Sequence, residues 1–335
     1  MFGRIAFIVS VVYVVLNTLL LRWAAEQLPF VFFDDEDHFN ATLAKLLKPR
    51  FVGSQGHSEV RDFIHQELQR LDFTVVRNEF QEGANFTNLL GFWNTEAEHV
   101  LMLTCHYDSK KLKDWDKDIF PSATEAVPCA ILLNLAKTLG LFLAEKLSKG
   151  SGMGLALIFF DGHNPVTSDN GDGNELIGSG RFIEDDIITF DEIALVLTLS
   201  YIGAPNQTFN SYFEASEDLH ELVADMELEL RKSGQLTDCH VLFQKKKQYD
   251  DDLLDDHVLF HEMGVPVMHV APQEYPKVLH TAADTQENLH YPTIRNTIKI
   301  MRRLVYEFLE QWDSYIAANN IIAANNDLDN NNKNS

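Results

Sequence analysis

The sequence predicts an α/β fold, a single domain in which a central, mostly parallel (mixed) β-sheet is flanked by α-helices. Two observations predict it. Four apolar runs of strand length, "HVLMLTCHYD" (99–108), "LALIFFDG" (155–162), "IALVLTLS" (193–200) and "VPVMHVAP" (265–272), are continuous rather than alternating. Strands buried on both faces read this way. The segments between them carry helical patterning, the order of elements that builds a parallel sheet between helix layers.

The elements follow in chain order. "IAFIVSVVYVVLNTLLL" (5–21) carries no charge and lies between Arg4 and Arg22. It is long enough to span a bilayer as an uncleaved signal anchor, with a cleaved signal peptide as the alternative. Residues 1–24 are therefore a targeting segment, and the body of the chain, 35–316, enters the secretory pathway. Within that body, "SEVRDFIHQELQRL" (58–71) puts Val60, Phe63, Ile64, Leu68 and Leu71 on one helical face. "AVPCAILLNLAKTLGLFLAEKL" (126–147) reads as a long, mostly apolar helix, and "SEDLHELVADMELELRKSG" (216–234) as a second. The closing helix, 292–316, spaces Ile294, Ile298, Met301, Val305, Phe308 and Trp312 at helical intervals. The remainder, 317–335, is Asn-rich and low in complexity, which reads as a disordered tail.

Composition narrows the function classes. At 335 residues, 45% hydrophobic and 23% charged, the chain is an ordinary globular one. Its 27 basic and 50 acidic residues leave a net charge of −23, so phosphates would be repelled. Nucleic acid is excluded as the main partner, and membrane contact is expected only through the N-terminal anchor. Sequons at Asn40, Asn85 and Asn206 agree with a secretory route and mark candidate glycosylation sites. Three cysteines allow at most one disulfide. Cys105 with Cys129 is the candidate pair, each near a strand tip or helix start, and two buried thiols are the alternative.

Ligands of open parallel sheets gather at the carboxyl ends of the strands. The polar residues there are His106 and Asp108, then His163 and Asn164, then Ser200, with His280 beyond the fourth run and Glu125 opening the long helix. A His and an Asp at i and i+2 can bind metal, or the Asp can orient and charge the imidazole. Asp255, Asp256 and His257 precede an apolar stretch, where acids also serve as helix caps.

In order and separation, "LTCHYDSK", "SATEAVPCA", "FFDG", "IGAPNQTF", "DDHVLFHEMGVPVMHV" and "YPKVLHTAADTQENL" resemble the glutaminyl-peptide cyclotransferases, or glutaminyl cyclases, over about residues 35–315. The resemblance implies the fold of zinc aminopeptidases, and residence in the secretory pathway as a Golgi or ER membrane protein with a lumenal domain or as a secreted one. It implies one zinc ion, a Cys105–Cys129 disulfide, and peptides or proteins with N-terminal Gln as partners. The family reaction closes that Gln to pyroglutamate with loss of ammonia. It uses a Lewis acid, a carboxylate that carries a proton, and a small apolar pocket.

Carried over residue by residue, the resemblance is uneven. The zinc ligands fall at Glu125 (Asp in the family), Asn164 (Glu in the family) and His280. The general base falls at His163, where the family has Glu. Of two supporting acids, one is Asp255 and the other is Ser200. His269 and Tyr275 match pocket residues, while Leu279 stands where a pocket Trp is expected. His106 and Asp108 stand behind the metal position. Amide for carboxylate removes a full charge, so zinc is expected to bind weakly. His163 could serve as the base or as a third zinc ligand, and not as both. The sequence thus predicts a weak or impaired cyclotransferase. Its alternative is a non-catalytic binder of peptide N-termini or secretory proteins, with a zinc aminopeptidase ranked below both.

Overall fold

The structure, a computed structural model, describes residues 34–111, 122–147, 152–164, 176–249 and 254–333. The apolar segment 5–21 lies outside the described residues. The chain begins with α1 (Glu36–Leu46), whose N-terminus Asp35 caps by accepting from His38 N at 2.9 Å. Next is α2 (Gln55–Arg70), capped by Ser54, which accepts from His57 N at 3.1 Å. A hairpin of β1 (Thr74–Glu82) and β2 (Ala84–Trp93) turns at Gly83 and leads into β3 (His99–His106). Then come α3 (Ala123–Lys146), β4 (Met153–Phe160), α4 (Ile177–Glu184) and β5 (Ile193–Leu199). Short β6 (Phe209–Ser211) and β7 (Phe243–Lys247) pair on either side of α5 (Glu217–Lys232). The last elements are α6 (His257–Glu262), β8 (Val267–Val270) and α7 (Tyr291–Lys333).

The main sheet has the order β1-β2-β4-β3-β5-β8. β4, β3, β5 and β8 are mutually parallel, while β1 and β2 join antiparallel, so the sheet is mixed as the sequence predicts. The chain leaves β3 for one neighbour, β4, and then returns to the other, β5. That reversal opens a crevice at the tip of β3, where His106 ends the strand.

The core lies on both faces of the sheet. α3 carries a mean hydropathy of 1.8, enough with its length to cross a membrane, yet 83% of that window is buried in the fold. A helix apolar all round belongs in an interior, and this one packs between the sheet, α1 and α7. On the opposite face Phe160, Phe182 and Phe260 form a second cluster. α7 continues as helical backbone to Lys333, past the limit of 316 set for the closing helix. No Gly or Pro interrupts the sequence after Pro292 to stop it.

Cys105 and Cys129 form a disulfide between the end of β3 and the second turn of α3. It closes a loop of 24 residues beside both His106 and Glu125. Replacing both cysteines by Ala should lower unfolding stability by about 3 kcal/mol, read as an earlier denaturant midpoint. An unchanged midpoint would mean that burial alone holds the two elements together.

Candidate functional site

The site is built from strand tips. β4 ends at Phe160, and Asp161 and Gly162 turn the chain toward β3. Gly162 adopts φ +69°, and a Cβ there would lie 2.7 Å from the Phe86 ring, so the position requires glycine. Asp161 is fully buried. Its carboxylate accepts from Thr87 N (2.8 Å) and the Tyr107 hydroxyl (2.8 Å) and lies 2.7 Å from His57 Nε2. It is therefore a structural acid. Asp108, also fully buried, accepts from His163 N at 3.1 Å and Asn164 N at 2.9 Å. Burial disfavours its charge, but the hydrogen bond from His106 and the charges of His106 and His163 outweigh that and hold it ionised.

His163 is enclosed. Its Nδ1 donates to Asp256 Oδ2 at 3.1 Å and lies 3.7 Å from Asp255 Oδ1. Its Nε2 lies 3.1 Å from the Tyr201 hydroxyl. The ring stacks on His106 with centroids 3.8 Å apart and planes at 9°. Burial alone would lower its pKa, but the charges of Asp255 and Asp256 raise it to about 10. Burial and the same carboxylates push the Tyr201 hydroxyl up, so it stays protonated. His163, Asp255 and Asp256 bring ligand atoms within 4.8 Å of one another, as do Asp255, His257 and His269. The cluster attracts cations, and the His163 proton serves as one.

A second group lies at the start of α3. Glu125 is buried in the first turn. Its Oε1 is 3.3 Å from His280 Nε2 and 3.4 Å from Asn164 Nδ2, while its Oε2 has no hydrogen-bond partner among the described residues. Burial opposes its charge, yet the His280 contact and the charges of His106, His280 and Arg50 bring its pKa down to about 2. Distances of 3.3 and 3.4 Å are long for hydrogen bonds to a carboxylate. They equal the roughly 3.3–3.4 Å edge of a tetrahedron whose N and O ligands stand about 2.0–2.1 Å from zinc. Glu125 Oε1 thus stands from His280 Nε2 and from the Asn164 amide at the separation that two ligands of one zinc ion would have. His280 reaches this point in a left-handed backbone conformation, φ 56°.

Two buried groups hold that arrangement. Asp284 accepts from Thr124 N at 2.9 Å and from the Thr124 hydroxyl at 2.8 Å. It thereby ties the loop that carries His280 to the N-terminus of α3, and burial raises its pKa to about 6. The guanidinium of Arg50 donates to Tyr107 O (2.8 Å) and Ser122 O (3.0 Å), and places a cation near Glu125 and Asp108.

The sequence of residues 88–305 matches the family model described as peptidase family M28. A glutaminyl-peptide cyclotransferase of Drosophila melanogaster is 33% identical over 296 residues, which is 82% of this chain and 81% of the relative. The chain belongs to the glutaminyl-peptide cyclotransferase family. Among solved structures, the glutaminyl cyclase of Macrostomum lignano superposes with a TM-score of 0.75 at 25% identity. That match covers 84% of this chain and 91% of the other. A Zn-dependent exopeptidase from Parabacteroides distasonis shares the fold, with a TM-score of 0.64 at 20% identity over 82% and 97% of the two chains.

Within this family fold, the residues read from the sequence fall in two groups. His106, Asp108, Glu125, His163, Asn164, Asp255 and His280 converge at the strand tips. His269 is fully buried, its Nε2 3.5 Å from Asp255 Oδ2. Tyr275 is half-exposed, with its ring edge-on to Tyr201 at 5.2 Å. Leu279 is half-buried beside His280. Ser200 is buried, with no hydrogen-bond partner for its hydroxyl among the described residues. Asn85 and Asn206 are exposed, whereas Asn40 is half-buried on α1 with its side-chain oxygen covered. Asp256 has a different role from the helix cap that its position suggests. Its side chain makes no cap bond and binds the Ser179 hydroxyl (2.6 Å) and His163 instead. Tyr201, Arg50 and Asp284 were not identified as site residues. Only the Ser-Tyr pair at a strand tip hinted at Tyr201.

The raised pKa of His163 has a stability consequence. Because the folded value lies above the unfolded one, the contribution is complete below about pH 6.5. It is lost as pH rises through about 10. The unfolding midpoint should therefore fall across that window, and Asp256→Asn should shrink the fall. Nitrogen chemical shifts of the His163 ring should report an imidazolium at pH 8; a neutral ring there would contradict the arrangement.

Proposed function

We propose that this chain is a secretory-pathway glutaminyl-cyclase relative that holds zinc weakly through Glu125, Asn164 and His280 and cyclises N-terminal Gln slowly. One observation carries the reading. The residue at the family's base position, His163, has both ring nitrogens engaged, by Asp256 and by Tyr201. No free lone pair remains there to take a proton from an attacking amine, and none remains for a metal. A bound zinc would supply the Lewis acid for the carboxamide oxygen. The chain's own residues would place the peptide. Glu125 presents an unpartnered buried oxygen to an α-ammonium, and the Tyr275 ring offers an exposed apolar face beside Tyr201. The same features favour the second reading, recognition of a peptide N-terminus without turnover.

The secretory route is supported by the charge-free segment 5–21, by exposed sequons at Asn85 and Asn206, and by the Cys105–Cys129 disulfide.

Loss of a positioned general base costs about 10²–10⁴ in rate. Ammonia release from a Gln-initiated peptide by the purified full-length chain should fall below that of an acid-bearing relative by that factor. Turnover at the relative's rate would end this proposal. Zinc should load at one ion per chain and be lost to a weak chelator, and Asn164→Glu should make it resistant, read by metal analysis after dialysis. Retention of zinc by the unmodified chain would show that the amide is no handicap. His163→Glu combined with Asn164→Glu should raise turnover, because Asp255 and Asp256 would lift the new carboxylate's pKa toward that of a useful base. No gain would locate the defect at Ser200, Tyr201 or the pocket aromatics.

A further inference from the structure

A cavity of about 260 Å³ lies where α1, α3 and α7 meet. Asn134, on its α3 wall, is about 14 Å along the helix axis from Glu125. The cavity is therefore separate from the strand-tip site. Phe39, Ile294 and Ile298 supply its apolar lining. Arg302 also lines it, with a side chain that is 0% exposed. Among the described residues the guanidinium makes one pairing, Nη2 to Asp34 Oδ1 at 2.6 Å, while Nε and Nη1 have no hydrogen-bond partner. A desolvated cation with two unmet donors is costly, and the cost is relieved by an oxygen acceptor seated against it.

The chemistry of that acceptor follows from the mouth. Asp34, Asp35 and Glu36 stand there, with Lys299 Nζ 3.1 Å from Asp34 Oδ2 and Arg295 Nε 3.1 Å from Glu36 Oε1. These pairs leave little positive excess to hold a dianion, whereas a single negative charge with an apolar body satisfies both Arg302 and the lining. The geometry points to a binding site for a small organic monocarboxylate, with its charged end on Arg302 and its body on Phe39, Ile294 and Ile298.

Hexanoate titrated calorimetrically into the full-length chain, at ionic strength matched with chloride, tests this. Saturable binding is expected, with inorganic phosphate at least tenfold weaker. Arg302→Met should weaken hexanoate about tenfold or more through loss of the charged hydrogen bonds. Asp34→Asn leaves the guanidinium in place and removes a competing carboxylate, so it should tighten binding severalfold; this variant decides the matter if Arg302→Met does not fold. The inference is overturned by absence of saturable heat, by phosphate binding as tightly as hexanoate, or by unaltered affinity in Asp34→Asn.

Discussion

The arrangement of the site depends on one carboxylate. Asp108, at the end of β3, accepts the backbone N–H groups of His163 and Asn164, which follow β4. It grips main chain, so the loop keeps its position whatever side chains those two residues carry. Gly162 makes the turn sterically possible, and Asp161 locks the strand end below it. The loop geometry is therefore compatible with many side chains at positions 163 and 164, the His and Asn of this chain among them. Scaffold and chemistry are held by different atoms.

Charge is then balanced locally. Asp255 and Asp256 are buried, and the His163 proton compensates them. Glu125 and Asp108 are buried beside Arg50, His106 and His280. A chain of net charge −23 thus spends its few interior cations where acids converge. Removing either member of such a pair would strand the other in a low dielectric, which is far worse than losing a surface ion pair.

Much of this was legible in the sequence. The four buried strands and the helices between them were readable because double-faced burial imposes unbroken apolar runs. The β1–β2 hairpin escaped notice, since β1 is an edge strand with mixed polar residues. β6 and β7 were too short to leave a pattern. The polar residues that converge at the strand tips, Glu125 and His280 among them, were read by position, and the family blocks supplied the roles proposed for them. What could not be read were roles that arise only from tertiary approach. Asp256 has the local signature of a helix cap, and nothing nearby in the sequence shows that α4 and the β4 tip claim its carboxylate. Arg50 lies far in sequence from the acids it serves.

The thoroughly apolar α3 has a consequence for biosynthesis. In a chain that passes a translocation channel before it folds, a segment of this length and hydropathy competes for the lipid phase as well as for the nascent core. Lys137, exposed near the middle of the helix, has little to do in the finished fold. At mid-bilayer, however, such a cation costs about 2.5–3.5 kcal/mol on an insertion scale. In a chain that took that route, the penalty would weigh against lateral exit of this helix into the membrane.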